Sequence, residues 1–141
     1  DGSARVRAEH LKFAWPGAPL LLDIDRFELR AGERLFLKGP SGSGKSTLLG
    51  LIAGVLTPQS GQINVCGEEM SALSGTKRDQ LRADRLGVIF QLFNLVPYLT
   101  VAQNLALPCR FSKRRAYKVK AAGDLCAGCR HTRPVYLTAC R

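Results

Sequence analysis

The run GPSGSGKST, Gly39 to Thr47, limits what this chain can fold into more than any other stretch. Before it stands Leu35-Phe36-Leu37, a short apolar run of the kind found in a strand buried on both faces. After it, Leu48, Leu49, Leu51, Ile52 and Val55 recur at helical spacing, and Gly54 and Pro58 supply a stop. Gly39, four residues, then Gly44-Lys45-Ser46 completes the P-loop spacing G-x-x-x-x-G-K-[ST] in a strand–loop–helix context. Each part has a physical reason. Gly39, Gly42 and Gly44 remove side chains so that backbone N–H groups can approach phosphate oxygens, and a helix start adds about half a positive charge there. Lys45 can carry its ammonium to the β- and γ-phosphates, and Ser46 can offer a hydroxyl to Mg²⁺. Pro40, Ser41, Ser43 and Thr47 fill the other positions of the cradle.

The flanking sequence reads as α/β. Val6 to Ala14 and Leu20 to Leu29 form two extended segments around Pro16-Gly17-Ala18-Pro19, a hairpin-like antiparallel opening. Gln62 to Val65 and Leu86 to Phe90 read as short strands, and Thr76 to Asp84 as a solvated helix. Thr100-Val101-Ala102-Gln103 fits a capping box opening a helix through Leu107, which Pro108 is expected to close. From about Tyr117 no periodic apolar face is visible, although Val135-Tyr136-Leu137 can form a brief extended piece.

With 141 residues the chain can support one core, and no apolar run is long enough for a membrane span. It begins without Met and without a signal-peptide core, so a processed or fragmentary start is expected. The net charge of +10 would suggest a polyanionic partner, but its distribution is uneven. Up to Pro108 there are 12 bases and 10 acids, whereas Cys109 to Arg141 holds 9 bases and one acid. Four of the five cysteines, Cys109, Cys126, Cys129 and Cys140, also fall in that tail, and the odd count argues for reduced thiols.

GPSGSGKSTLLGLIAGVLTPQSGQI resembles the ATP-binding domain of ABC transporters, and LGVIFQLFNLVPYLTVAQNLALP looks like the glutamine loop and helical region of the lipoprotein-releasing and macrolide-exporting type. The likeness covers about residues 5 to 115. It implies an α/β fold, a P-loop NTPase core with an N-terminal antiparallel β portion, truncated before the signature and Walker B motifs. It also implies ATP and Mg²⁺ as cofactors, a transmembrane permease and a second, head-to-tail ATP-binding subunit as partners, and a cytoplasmic location on the inner face of the plasma membrane. No nucleic acid is expected. By position, Trp15 matches the ring that stacks on adenine, with Phe13 as the alternative stacker. Gln91 matches the glutamine that touches Mg²⁺ and the surroundings of the attacking water. Phe93 to Thr100 falls where the family receives a coupling helix.

Three segments imitate other motifs. Leu73-Ser74-Gly75 begins like the signature but precedes the glutamine loop and ends in Thr76-Lys77, so it reads as a linker. Leu20-Leu21-Leu22-Asp23 mimics the apolar run and aspartate of Walker B but precedes the P-loop and lacks the adjoining glutamate. Cys126, Cys129 and His131 suggest zinc, yet a fourth ligand would have to come from distant Cys140. Residues 1–115 are therefore expected to form a partial ABC-type domain. Residues 116–141 are expected to form a basic, Cys-rich tail, frameshifted near Gly123 to Leu125 or disordered. The alternatives to a transporter subunit are a non-hydrolysing nucleotide-binding remnant and nucleic-acid binding through the tail. With no general base in sight, the chain alone is expected to bind ATP better than it turns it over.

Overall fold

The computed structural model describes residues 4–89, 95–122 and 135–137. Two compact units emerge, one built on the segment up to Arg78 and one on the segment from Asp79.

The first unit is organised by β1 (Ala4–Ala14) and β2 (Leu20–Arg30), antiparallel partners over nearly their whole length. In β1 the residues Val6, Ala8, Leu11 and Phe13 are buried while their neighbours face outward, the alternation of a half-buried strand. A register shift between Glu9 and Lys12 accompanies the step of three from Ala8 to Leu11. Helix α1 (Lys45–Ile52) follows the glycine loop, and β3 (Ser60–Val65) and β4 (Glu68–Glu69) complete a sheet in the order β2-β1-β3-β4. The β3–β4 turn takes positive φ at Cys66 (+53°) and Gly67 (+87°), as a two-residue hairpin of matching twist requires. Leu48, Leu51, Ile52, Ile63, Val65 and Met70 join the β1 residues in the core. Burying a side chain of this kind stabilises a fold by about 1.5–3 kcal/mol.

Helix α2 (Gly75–Arg85) buries none of its residues, as its charged sequence predicts. In the second unit, β5 (Leu86–Val88) pairs in parallel with β6 (Val135–Leu137), and α3 (Val101–Phe111) and α4 (Lys113–Ala122) follow one another around Ser112.

Two expectations need correction. Leu35-Phe36-Leu37 is not a buried strand: among the described residues no strand pairs with it, and Phe36 is 69% exposed. A strand exists only through its ladder, so an apolar run without neighbours stays an extended, uncovered segment. Pro108 does not close α3, which continues to Phe111. Proline removes a single N–H from the i→i−4 ladder, and the helix here gives up that bond without ending.

Candidate functional site

The glycine loop is shaped by backbone that only glycine adopts freely. Gly42 (φ +82°) and Gly44 (φ +92°) lie in the left-handed region, where successive N–H groups turn toward a common centre. A Cβ on Gly44 would stand 2.7 Å from Leu22 Cδ2 of β2, and one on Gly39 would stand 2.7 Å from Ser43 Oγ. A side chain at either position would have to push aside the tip of Ser43 or Leu22, and at Gly44 it would also have to adopt the left-handed φ. The loop's bend is closed by the Ser43 N–H, which donates to Pro40 O at 3.2 Å.

Gly44 is the N-cap of α1 and offers no side-chain acceptor, and the first turn, Lys45 to Thr47, contains no acid. The positive end of the helix is thus left for a ligand anion, not spent on a capping group. Lys45 folds back over the loop. Its Nζ donates to Gly39 O and Pro40 O, each at 2.7 Å, and to Ser43 Oγ at 3.3 Å. Ser46 is exposed, whereas Thr47 is buried and helps anchor the helix. Amide donors, a lysine and a free hydroxyl together suit a polyphosphate carrying a hard cation.

In the same unit, Phe13 is buried at 6% exposure and Trp15 stands 46% exposed, their rings in an edge-to-face contact at 5.1 Å. Of these two rings, Trp15 is the more exposed. Gln91 lies outside the described residues, as do Phe93, Asn94, Cys126, Cys129, His131 and Cys140. Among the described residues no group of three His, Cys, Asp or Glu is arranged to hold a metal. Asp23, the Walker B mimic, instead faces Lys12 at 3.5 Å on the β1–β2 surface. On the same sheet Arg30, Arg26 and Arg7 surround Glu28 and hold its carboxyl below the ordinary value of 4.5, chiefly through the Arg30 hydrogen bond.

The second unit is held by polar staples that sequence reasoning only partly foresaw. The capping box is present: Gln103 N–H donates to Thr100 Oγ1 at 3.2 Å and Thr100 N–H to Gln103 Oε1 at 2.8 Å. Asn104 was missed. Its Oδ1 accepts from Val96 N–H at 2.9 Å, and its Nδ2 reaches the carbonyls of Val96, Leu99 and Thr100 at 3.1–3.2 Å. Residues 96–100 are thereby tied to α3, while Leu95, Tyr98 and Val101 stay exposed, Tyr98 at 86%.

Ser112, also missed, is fully buried between the two helices. Its hydroxyl donates to Asp84 and accepts from Arg115 N–H at 3.1 Å, capping α4. Arg115 in turn donates to Leu86 O at 2.5 Å. Burial pushes the Asp84 carboxyl up, but the Ser112 hydroxyl, the Gln80 amide and the charges of Arg114 and Arg115 together hold it below its ordinary value. A serine three residues before an arginine, with Pro108 upstream, is a weak signal for such a cap.

Glycine loop, uncapped helix start and folded-back lysine on an α/β frame with an antiparallel β portion define a P-loop NTPase core. Residues 22–133 match the family model described as ABC transporter, so the chain belongs to the ABC transporter family of ATPases. Over 93 residues it is 42% identical to the lipoprotein-releasing system ATP-binding protein LolD of Pseudomonas fluorescens, covering 66% of this chain and 41% of the relative. Over 109 residues it is 44% identical to the methionine import ATP-binding protein MetN of Caulobacter vibrioides, covering 77% of this chain and 32% of the relative. The dimeric structure of the ABC transporter cassette MJ0796 superposes with a TM-score of 0.71 at 28% identity, over 84% of this chain and 57% of that one. A second structure of that cassette is described as a post-hydrolysis state bound to ADP and Pi. The chain thus spans about a third to two fifths of the length of these curated relatives.

Proposed function

We propose that this chain binds Mg-ATP through Gly39, Pro40, Ser41, Gly42, Ser43, Gly44, Lys45, Ser46 and Thr47 and serves as the ATP-binding subunit of an ABC exporter or extractor. The observation that carries this reading is the pair of left-handed glycines leading into a helix start with no cap and no acid, under the ammonium of Lys45. Backbone N–H groups of the loop would donate to phosphate oxygens, and Lys45 would leave its carbonyl partners for the β- and γ-phosphates. Mg²⁺ would be held by Ser46, with Gln91 as a second proposed ligand, and would supply neutralisation of phosphate charge. Trp15 would stack on the adenine, its exposure and its contact with anchored Phe13 fitting a fixed platform.

Coupling of ATP binding and hydrolysis to substrate release is proposed for the assembled transporter. After Gln91 the sequence contains Asp124 as its one acid and no signature motif, so the chain by itself is proposed to turn ATP over slowly. Its partners would be a second ATP-binding subunit, head to tail, and a permease. The permease would meet the exposed apolar residues Leu95, Tyr98 and Val101 and hold the subunit at the inner face of the plasma membrane. Among the described residues no helix is long and apolar enough to cross a membrane. A releasing system and an import system both stand among the relatives, and release is proposed on the likeness of LGVIFQLFNLVPYLT to the lipoprotein-releasing type.

Trp15 is the chain's one tryptophan, which makes the reading testable by fluorescence. Emission should shift or quench as Mg-ATP saturates the protein. Unchanged emission at a Mg-ATP concentration that saturates binding by calorimetry would remove Trp15 from the site.

A further inference from the structure

Helix α4 carries positive charge where its own backbone disfavours it. Lys113, Arg114 and Arg115 occupy the first turn, which contains no acid, and the aligned peptide dipoles already place about half a positive charge there. The surrounding sequence does not dilute this charge. Between Arg85 and Gly123 the chain has six bases, Arg110, Lys113, Arg114, Arg115, Lys118 and Lys120, and no acid. Arg115 is engaged in structure through Leu86 O and Ser112 Oγ. Lys113 and Arg114 are exposed, and among the described residues neither lies in an ion pair with a carboxylate, although the charge of Arg114 is felt at Asp84. Tyr117, one turn beyond Lys113 and so on the same face, is 75% exposed, and Phe111 just before the bend is 67% exposed.

We propose that the outer face of α4, with Lys113, Arg114 and Tyr117 at its centre, docks on an anionic phospholipid surface. Unpaired bases beside an exposed amphipathic ring match the headgroup boundary, where ammonium and guanidinium groups meet phosphates and the ring body enters the acyl edge. Each base near such a surface multiplies affinity by about fivefold. A single-stranded nucleic acid would instead call for several stacking rings along a basic groove, and α4 offers one tyrosine.

The test is co-sedimentation of the full chain with vesicles of phosphatidylcholine alone and of phosphatidylcholine mixed with phosphatidylglycerol, at low and at physiological salt. Binding should require the anionic lipid and weaken with salt. The double variant Lys113→Glu, Arg114→Glu should weaken it by about 25-fold or more, while its far-UV circular dichroism stays that of the parent. Tyr117→Ser should weaken it without altering the charge, and both variants should keep the response of Trp15 to Mg-ATP. Undiminished binding by the double variant, or equal binding of the parent to pure phosphatidylcholine, would overturn the proposal. Tighter binding to poly(U) than to the anionic vesicles at the same salt would overturn it in favour of nucleic acid.

Discussion

The two units of this chain are stabilised by different means. Among the described residues, the buried apolar side chains of the first unit run from Val6 to Met70, whereas the second contributes Leu86 alone. The first unit therefore sets its glycine loop on a packed foundation: Thr47, Leu48 and Leu51 sink α1 into the sheet layer, and Leu22 closes against Gly44. The second depends on hydrogen bonds from Asn104, Ser112 and Arg115 and leaves Leu95, Tyr98, Val101, Leu105 and Phe111 exposed. A phosphate site needs fixed amides, because affinity comes from donors that do not have to be reorganised. A surface that has to receive other molecules needs exposed apolar and charged groups, so it keeps fewer for its own interior.

That contrast can be broken by mutation. Leu51→Ala in the first unit should cost about 2–5 kcal/mol, read from chemical denaturation; a cost below about 1 kcal/mol would mean that the core around α1 is not packed. In the second unit, Asn104→Ala should cost about 1–3 kcal/mol and raise amide exchange at Val96, since several loop groups lose one shared partner. Protection of Val96 left intact would remove Asn104 as the staple. The smallest effect concerns pH. Asp84 titrates below its ordinary value of 3.8 when folded, so its contribution is present above that value and is lost as pH falls through the lower, folded one. Asp84→Asn should accordingly flatten the acid limb of stability for the second unit, and an unchanged limb would show that the Ser112 contact does not favour the charged form.

Sequence reading succeeded where local chemistry decides the outcome. The alternation in β1, the glycines and lysine of the loop, the charged α2 and the Thr100–Gln103 box each state their structure within a few residues. It failed where the outcome depends on partners far along the chain. Leu35-Phe36-Leu37 has the composition of an interior strand, but pairing is a property of neighbours and composition alone cannot supply them. Pro108 looks like a stop because its local cost is evident, while the bonds that carry α3 past it are not. Ser112 looks like any surface serine until α2 brings Asp84 against it from 28 residues away. The glycine turn and the helix after it were legible in the sequence; the placement of Gln91, proposed as a metal ligand, lies outside the described residues.

The central claim is that amides between Gly39 and Ser46, backed by Lys45, hold the polyphosphate of ATP. Calorimetric titration of Mg-ATP into the folded full chain, beside its Lys45→Ala variant, tests it most directly. Saturable heat for the parent and binding weakened by about 10- to 100-fold in the variant are the predicted result, the loss of a charge-assisted contact to phosphate. No heat from folded parent protein, or equal affinity in the variant, would contradict it.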